Sequence, residues 1–321
     1  MKGRESSAGR AARDPRGYQI VALSALLGLG LFRFRFDIPL PHVAITLTSA
    51  LAGQWLAAGM GRPSTPAARG VRVRRTGLRP PFEWRSALIS GLSLCLLLRT
   101  REPLWMALAG LLAVGSKFTL RVPRASGGGT KHLLNPANGA IVLLLLLGAP
   151  VWVSPAQWGH HLALAFGVAG FGSLVVHRSA RSDVTLAFLA AWAALLLGRA
   201  ATLGQAWAAP LHQLESGSLA LFAFHMISDP KTTPDSRAGR ITFACLVARG
   251  AGLVQFVFYR TNGLLWSLAV CSLLVPFLDR WLPGHAFEWS APGTGATSSE
   301  VLHAQPGAPF SAGAARGVRT A

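Results

Sequence analysis

Two dipeptides stand out for the chemistry they can do. Asn135-Pro136 sets a side-chain acceptor directly before a proline, an N-cap followed by the one residue whose missing N–H costs nothing at the first helical position. Asp229-Pro230 repeats that pattern, and Lys231, Thr232 and Thr233 follow at once, concentrating donors beside a short apolar segment. Helix capping accounts for both turns without a ligand, and the donor cluster equally suits a polar cofactor. Arg249 lies inside an apolar run; an arginine near the centre of a membrane span costs about 2.5–3.5 kcal/mol, so it is expected to face the protein interior and meet an anion, a row of carbonyls or a polar ligand. The competing reading is a later start to its segment, with the side chain snorkelling. His225, inside a short apolar run, is either a cofactor contact or a satisfied core imidazole.

Other candidates carry less. Cys95, Cys245 and Cys271 lie in apolar runs with no CxxC and no histidine at metal spacing, which makes them inert buried thiols and supports neither zinc nor an iron–sulfur cluster. Gly127-Gly128-Gly129-Thr130-Lys131 lacks the GK[ST] ending of a phosphate loop and a preceding strand, so it reads as a flexible loop. His160-His161 has no partners at ligand spacing.

The elements that must position these residues follow from composition. Of 321 residues 51% are hydrophobic and 13% charged, yet 31 Lys+Arg face 12 Asp+Glu for a net charge of +19. Such charge suggests nucleic acid, but a mean hydropathy of +0.41 leaves too many apolar residues for one soluble core. A secreted disulfide scaffold, a disordered chain and a nucleic-acid-binding module are set aside. A bilayer core about 30 Å thick needs roughly 20 apolar helical residues, fewer where a segment is broken. Ten runs qualify: 18–32, 41–60, 86–98, 103–116, 136–153, 157–176, 184–198, 216–228, 241–258 and 264–282. They are rich in Leu, Ala and Gly and lack the alternation of a membrane barrel, so the expected fold is all-α and polytopic. The first run shows no cleavage site and reads as a span rather than a signal peptide.

With the N-terminus inside, Arg33, Arg35, Arg99, Arg101, Arg199 and Arg260 fall outside and Arg249 within a span, while the rest of the 31 Lys and Arg lie on the inner side. Because cytoplasmic loops retain positive charge, both termini are expected on the cytoplasmic side of the membrane. The runs divide into a basic tail (1–17), a membrane domain (18–283) and a Gly/Ala/Pro-rich tail (284–321). Runs three and eight are short, about 13 residues each, and hold the same place in two five-span halves, 18–153 and 157–282. An odd number of spans per half inverts the second, the arrangement in which discontinuous helices build a site near the midplane.

The stretch 115–159, with Ser116-Lys117-Phe118, Lys131-His132, Asn135-Pro136-Ala137-Asn138 and Trp152-Val153-Ser154-Pro155, resembles the RnfD/NqrB family, flavin-carrying membrane subunits of ion-coupled electron transport complexes. Leu214-Glu215-Ser216-Gly217-Ser218-Leu219 and Met226-Ile227-Ser228-Asp229-Pro230-Lys231-Thr232-Thr233-Pro234 are similar to its flavin-site helix and trailing turn. The resemblance covers about 14–282 and implies ten spans in two inverted halves, FMN or riboflavin as cofactor, and other membrane redox subunits as partners. Taken with the residue reading above, this makes Asn135, Asn138, Ser216, Gly217, Ser218, His225, Asp229, Lys231, Thr232 and Arg249 the expected cofactor-binding residues. The family attaches FMN by a phosphoester to the last residue of a Ser/Thr-Gly-Ala-Thr motif. That position here is Leu219, which has no hydroxyl, leaving a shifted linkage to Ser216 or Ser218 or a non-covalent flavin. Thr294-Gly295-Ala296-Thr297 spells the motif in the C-terminal tail and reads as coincidence.

Three functions follow: a redox subunit passing electrons through a flavin, a small-solute permease on the same scaffold, and a cofactor-less accessory membrane protein of a biosynthetic pathway. In the last, the arginine-rich stretch 62–85 would bind anionic lipid or a cytoplasmic partner.

Overall fold

The computed structural model describes residues 15–34, 36–59, 82–125, 129–154, 172–173, 176 and 181–284. Nearly all of run six, most of the arginine-rich stretch, Gly127-Gly128, His160-His161 and the C-terminal tail with Thr297 lie outside them.

Helices dominate. In order they are α1 (Pro15–Phe32), α2 (Leu40–Gly59), α3 (Trp84–Leu97), α4 (Pro103–Thr119), α5 (Pro136–Leu146), α6 (Ser182–Leu203), α7 (Ala208–Leu214), α8 (Gly217–Leu221) running into a π-helical turn (Phe222–Met226), α9 (Arg237–Phe256), α10 (Gly263–Ser272) and α11 (Val275–Trp281). The strand-free expectation is corrected by four three-residue strands, β1 (Leu98–Thr100), β2 (Arg121–Pro123), β3 (Thr130–His132) and β4 (Val151–Val153). They form two antiparallel ribbons, β1 with β4 and β2 with β3. The ribbons pair backbone groups that the broken helices leave free.

The apolar runs do not each become one span-length helix. Among the described residues α6 alone is long and apolar enough to cross a bilayer, and α10 with α11, bent by 51° at their junction, makes a second if taken as one broken span. Run three stops at β1, run five stops at Leu146 before Gly148 (φ +67°), and run eight changes from α to π after five residues. Hydropathy counts residues and does not register where the hydrogen-bond ladder is cut.

Packing follows a scheme used twice. Helix α4 lies against α2 and α5, α9 lies against α6 and α10, and α5 meets α10. Glycines permit the close approaches: a Cβ on Gly110 of α4 would strike Ser49 and the Thr46 carbonyl of α2, and one on Gly263 of α10 would strike the Ala251 carbonyl of α9 at 2.7 Å. One apolar core, including Leu23, Leu94, Met106, Ile141, Phe188, Phe222, Phe243 and Leu268, links α1 through α10.

Candidate functional site

A cavity of about 720 Å³ opens where α3, β4, α8, α9 and α10 converge. Its apolar lining comes from Leu97, Trp152, Val153, Phe222, Met226, Leu264 and Leu265, and its polar groups from Ser154, Ser218, Gln255, Arg260, Thr261 and Asn262. Size and composition match those of small-molecule sites.

Backbone chemistry builds the walls. Ser216 caps α8, its Oγ accepting the Leu219 N–H at 3.3 Å and standing 3.4 Å from the Ser218 Oγ. Ser218, Phe222 and Met226 then recur every fourth residue along the cavity wall. The π turn, marked by the Ile227 N–H bonding the Phe222 carbonyl at 3.0 Å, alters the carbonyl ladder. Thr185 Oγ1 donates to the Ala223 carbonyl at 2.8 Å and Asn135 Nδ2 to the Met226 carbonyl at 3.3 Å. Opposite, Tyr259 (φ 53°) and Asn262 (φ 62°) are the two non-glycine residues with positive φ among those described, and both line the cavity. A left-handed tyrosine is strained, and such strain gathers at ligand sites.

The two asparagines serve this wall from behind. Asn135 Oδ1 accepts the Asn138 N–H at 3.2 Å, fulfilling the expected N-cap, and Asn138 Nδ2 donates to the Leu265 carbonyl at 3.2 Å. Neither lines the cavity; each holds the backbone of a residue that does.

The cofactor residues expected from sequence are not brought to one place. Ser218 lines the cavity, with Ser216 and Gly217 beside it. Leu219 points into the core, 3% exposed, so the position of the missing threonine is packed rather than open. His225 is buried in the π turn, with no hydrogen-bond partner on either ring nitrogen among the described residues, and is outside the cavity lining.

Asp229, Lys231 and Thr232 lie past the other end of the π turn, before α9, whose opposite end carries Gln255 at the cavity. The Asp229 Oδ1 accepts the Lys231 N–H at 3.0 Å, and its carbonyl takes the N–H groups of Thr232 and Thr233, each at 3.1 Å. Burial raises the Asp229 carboxyl above its usual range, against the Lys231 N–H bond and the charges of Lys231, Lys117 and Arg181. This is a turn holding itself together.

Arg249 departs furthest from expectation. It is exposed, because α9 buries Phe243, Ala244, Val247, Ala248, Ala251 and Gly252 and turns position 249 to the other side. The arginine sealed against carbonyls is Arg99, 3% exposed after α3, donating to the carbonyls of Cys95 and Leu98, both at 2.8 Å, and of Leu96 at 3.4 Å.

A polar cluster beside the 229–235 turn was not expected. Lys131 Nζ of β3 donates to the Thr233 carbonyl at 3.1 Å, pairs with Asp279 of α11 and lies 3.7 Å from Asp235. Asp235 donates its N–H to Asp279 Oδ1 at 2.8 Å, and Arg181 Nε donates to Thr233 Oγ1 at 3.1 Å. Burial raises the Asp235 carboxyl, Lys131 opposes that and Asp279 adds to it. Burial, helped by Arg240, lowers Arg181 to about 10. The available signal was Asp279, an acid in an apolar run of a chain with only 12 acidic residues. The cavity's polar rim had one too, Asn262-Gly263 directly before run ten.

Residues 145–288 match the NQR2, RnfD, RnfE family. Over 75 residues the chain is 32% identical to the D subunit of the ion-translocating oxidoreductase complex of Tolumonas auensis, covering 23% of this chain and 22% of that protein. Against the D subunit of the same kind of complex from Cronobacter sakazakii it is 23% identical over 337 aligned positions, covering 81% of this chain and 91% of that protein.

Proposed function

We propose, from the match of residues 145–288 to the NQR2, RnfD, RnfE family and the likeness to its D subunits, that the chain is a membrane subunit of an ion-translocating oxidoreductase complex whose cavity holds a flavin, FMN or riboflavin, without a covalent bond. The carrying observation is the coincidence of two independent features: the segment resembling the family's flavin-site helix supplies Ser218 and Phe222 to a cavity of about 720 Å³.

The residues present fit such a ligand. Trp152, Phe222 and Tyr259 offer apolar faces to a flat ring, while Ser218, Gln255 and Asn262 offer donors and acceptors at its edges. Arg260, with the first amides of α10, suits a terminal phosphate. Ser216 and Asn135 fix the α8 wall, and Asn138 fixes the start of α10. A bound flavin would supply the electron transfer, while the chain supplies orientation, partial exclusion of water and a positive rim.

The surrounding architecture in this reading is ten spans in two inverted halves within the bacterial inner membrane. The charge distribution and the repeated packing of α2, α4 and α5 as α6, α9 and α10 support it. Both termini and the 229–235 turn then face the cytoplasm and the cavity opens outward, with other redox subunits as partners and anionic lipid at the basic loops.

The purified protein is expected to be yellow, releasing FMN or riboflavin on denaturation and leaving none on the polypeptide. A colourless preparation from flavin-replete cells overturns the flavin reading in favour of a permease or an accessory protein.

A further inference from the structure

Helix α9 carries, away from its ends, a charge that nothing in the described chain answers. Its buried face packs on α6 and α10, and its other face exposes Ile241, Thr242, Arg249 and Leu253, with Cys245 half-buried between them. Arg249 makes no hydrogen bond, ion pair or ring contact with any described residue. It lies nine residues beyond Arg240, which is paired with Asp183, and seven before the helix ends at Phe256, or about 13 Å and 10 Å along the axis. Exposed Val257 and Phe258 prolong the apolar surface past that end. The guanidinium thus sits near mid-depth, with apolar surface above and below.

We infer that this face of α9 docks a membrane helix of a different polypeptide carrying an Asp or Glu at mid-depth, with Arg249 as its ion-pair partner. The inference rests on the membrane reading given above, not on the flavin. A charged side chain at such depth persists where an opposite charge meets it, and a carboxylate matches the guanidinium fork with two parallel hydrogen bonds. Lipid phosphate is the poorer partner, because the route to either headgroup layer runs along apolar side chains. A second copy of this chain is poorer still, since a twofold contact through the same face brings Arg249 against Arg249. Small neighbours at Ala238, Thr242 and Cys245 let a second helix approach closely.

The test places a photocrosslinking residue at position 253 of the full chain in its native membrane and sequences the crosslinked peptide. The expected product is an apolar peptide of another polypeptide containing Asp or Glu. Arg249→Glu should then cut co-purification of that polypeptide about tenfold, the size of one interfacial charge pair, and exchanging its carboxylate for Arg should restore it. Crosslinks to lipid alone, to a second copy or to a peptide without a carboxylate overturn the inference, as does unchanged recovery with Arg249→Glu. Alkaline extraction of the same membranes separates the two levels: a chain released into the supernatant removes the membrane reading, whereas a retained chain without the expected crosslink removes only the docking.

Discussion

Asn138 donates its side-chain N–H to the backbone carbonyl of Leu265 at 3.2 Å, across 127 positions of sequence. With Asn135 holding the Met226 carbonyl, the turn that begins α5 grips the second half of the chain at two points. Both gripped residues line the cavity, so cohesion between the halves and the shape of the cavity depend on the same pair of amides.

Asn138→Leu removes a buried hydrogen bond to the Leu265 carbonyl, which keeps its partner within α10. The expected loss is about 0.5–1.5 kcal/mol of stability, read as a lower melting temperature in detergent. Flavin retention should fall with it, whereas Asn→Leu changes at exposed positions should leave both unchanged.

Breaking the Lys131–Asp279 pair should be costlier. Lys131→Met strands buried Asp279 and Asp235 and is expected to destabilise by about 3–5 kcal/mol, with Asp279→Leu similarly severe. The double variant should recover much of the loss, because the unpaired charge rather than the missing attraction dominates. A double-mutant cycle in chemical denaturation measures this.

Acid should loosen the hairpin at His132. Burial, with the nearby charges of Lys231, Lys117 and Arg121, holds its imidazole down at about 3. An unfolded chain takes up that proton below about pH 6.5 while the fold refuses it, so stability falls as pH drops through that window, by about 2 kcal/mol at pH 5. His132→Gln should flatten this limb of a stability–pH curve.

Restoring the family's threonine should not restore a covalent flavin. Leu219 is packed in the core, and Leu219→Thr is expected to lower stability by about 1–3 kcal/mol and to leave no flavin on the denatured polypeptide. Ser218→Trp, which fills the cavity, should give a folded but colourless protein; both outcomes are read by absorbance before and after denaturation.

What the sequence made legible is what depends on local chemistry. The N-cap at Asn135 follows from residue types and their spacing and is present, whereas short helices are not confined to runs three and eight, since α5 has 11 residues and α10 has 10. Of the cavity's polar face the sequence singled out Ser218, whereas Gln255, Arg260 and Asn262 join it from segments whose convergence is tertiary. Arg249 was misplaced for a related reason: hydropathy locates a residue along a span but says nothing of its azimuth. That angle is set by Val247, Ala251 and Gly252 finding their neighbours. The Lys131–Asp279 pair, 148 positions apart, had no local signature beyond an acid in oily company.

Arg99 has a further consequence. Its guanidinium is sealed behind the cavity wall, in the strand that follows Leu97 and in register with Trp152 across the β1–β4 ribbon. A charge shielded from water keeps its reach, and the three carbonyls around it offset only part of it. It adds to the positive charge that Arg260 brings to the cavity lining, with Asp37 opposing it in part. Charge of this sign near the wall favours an anionic occupant of the cavity over a metal or ammonium ion.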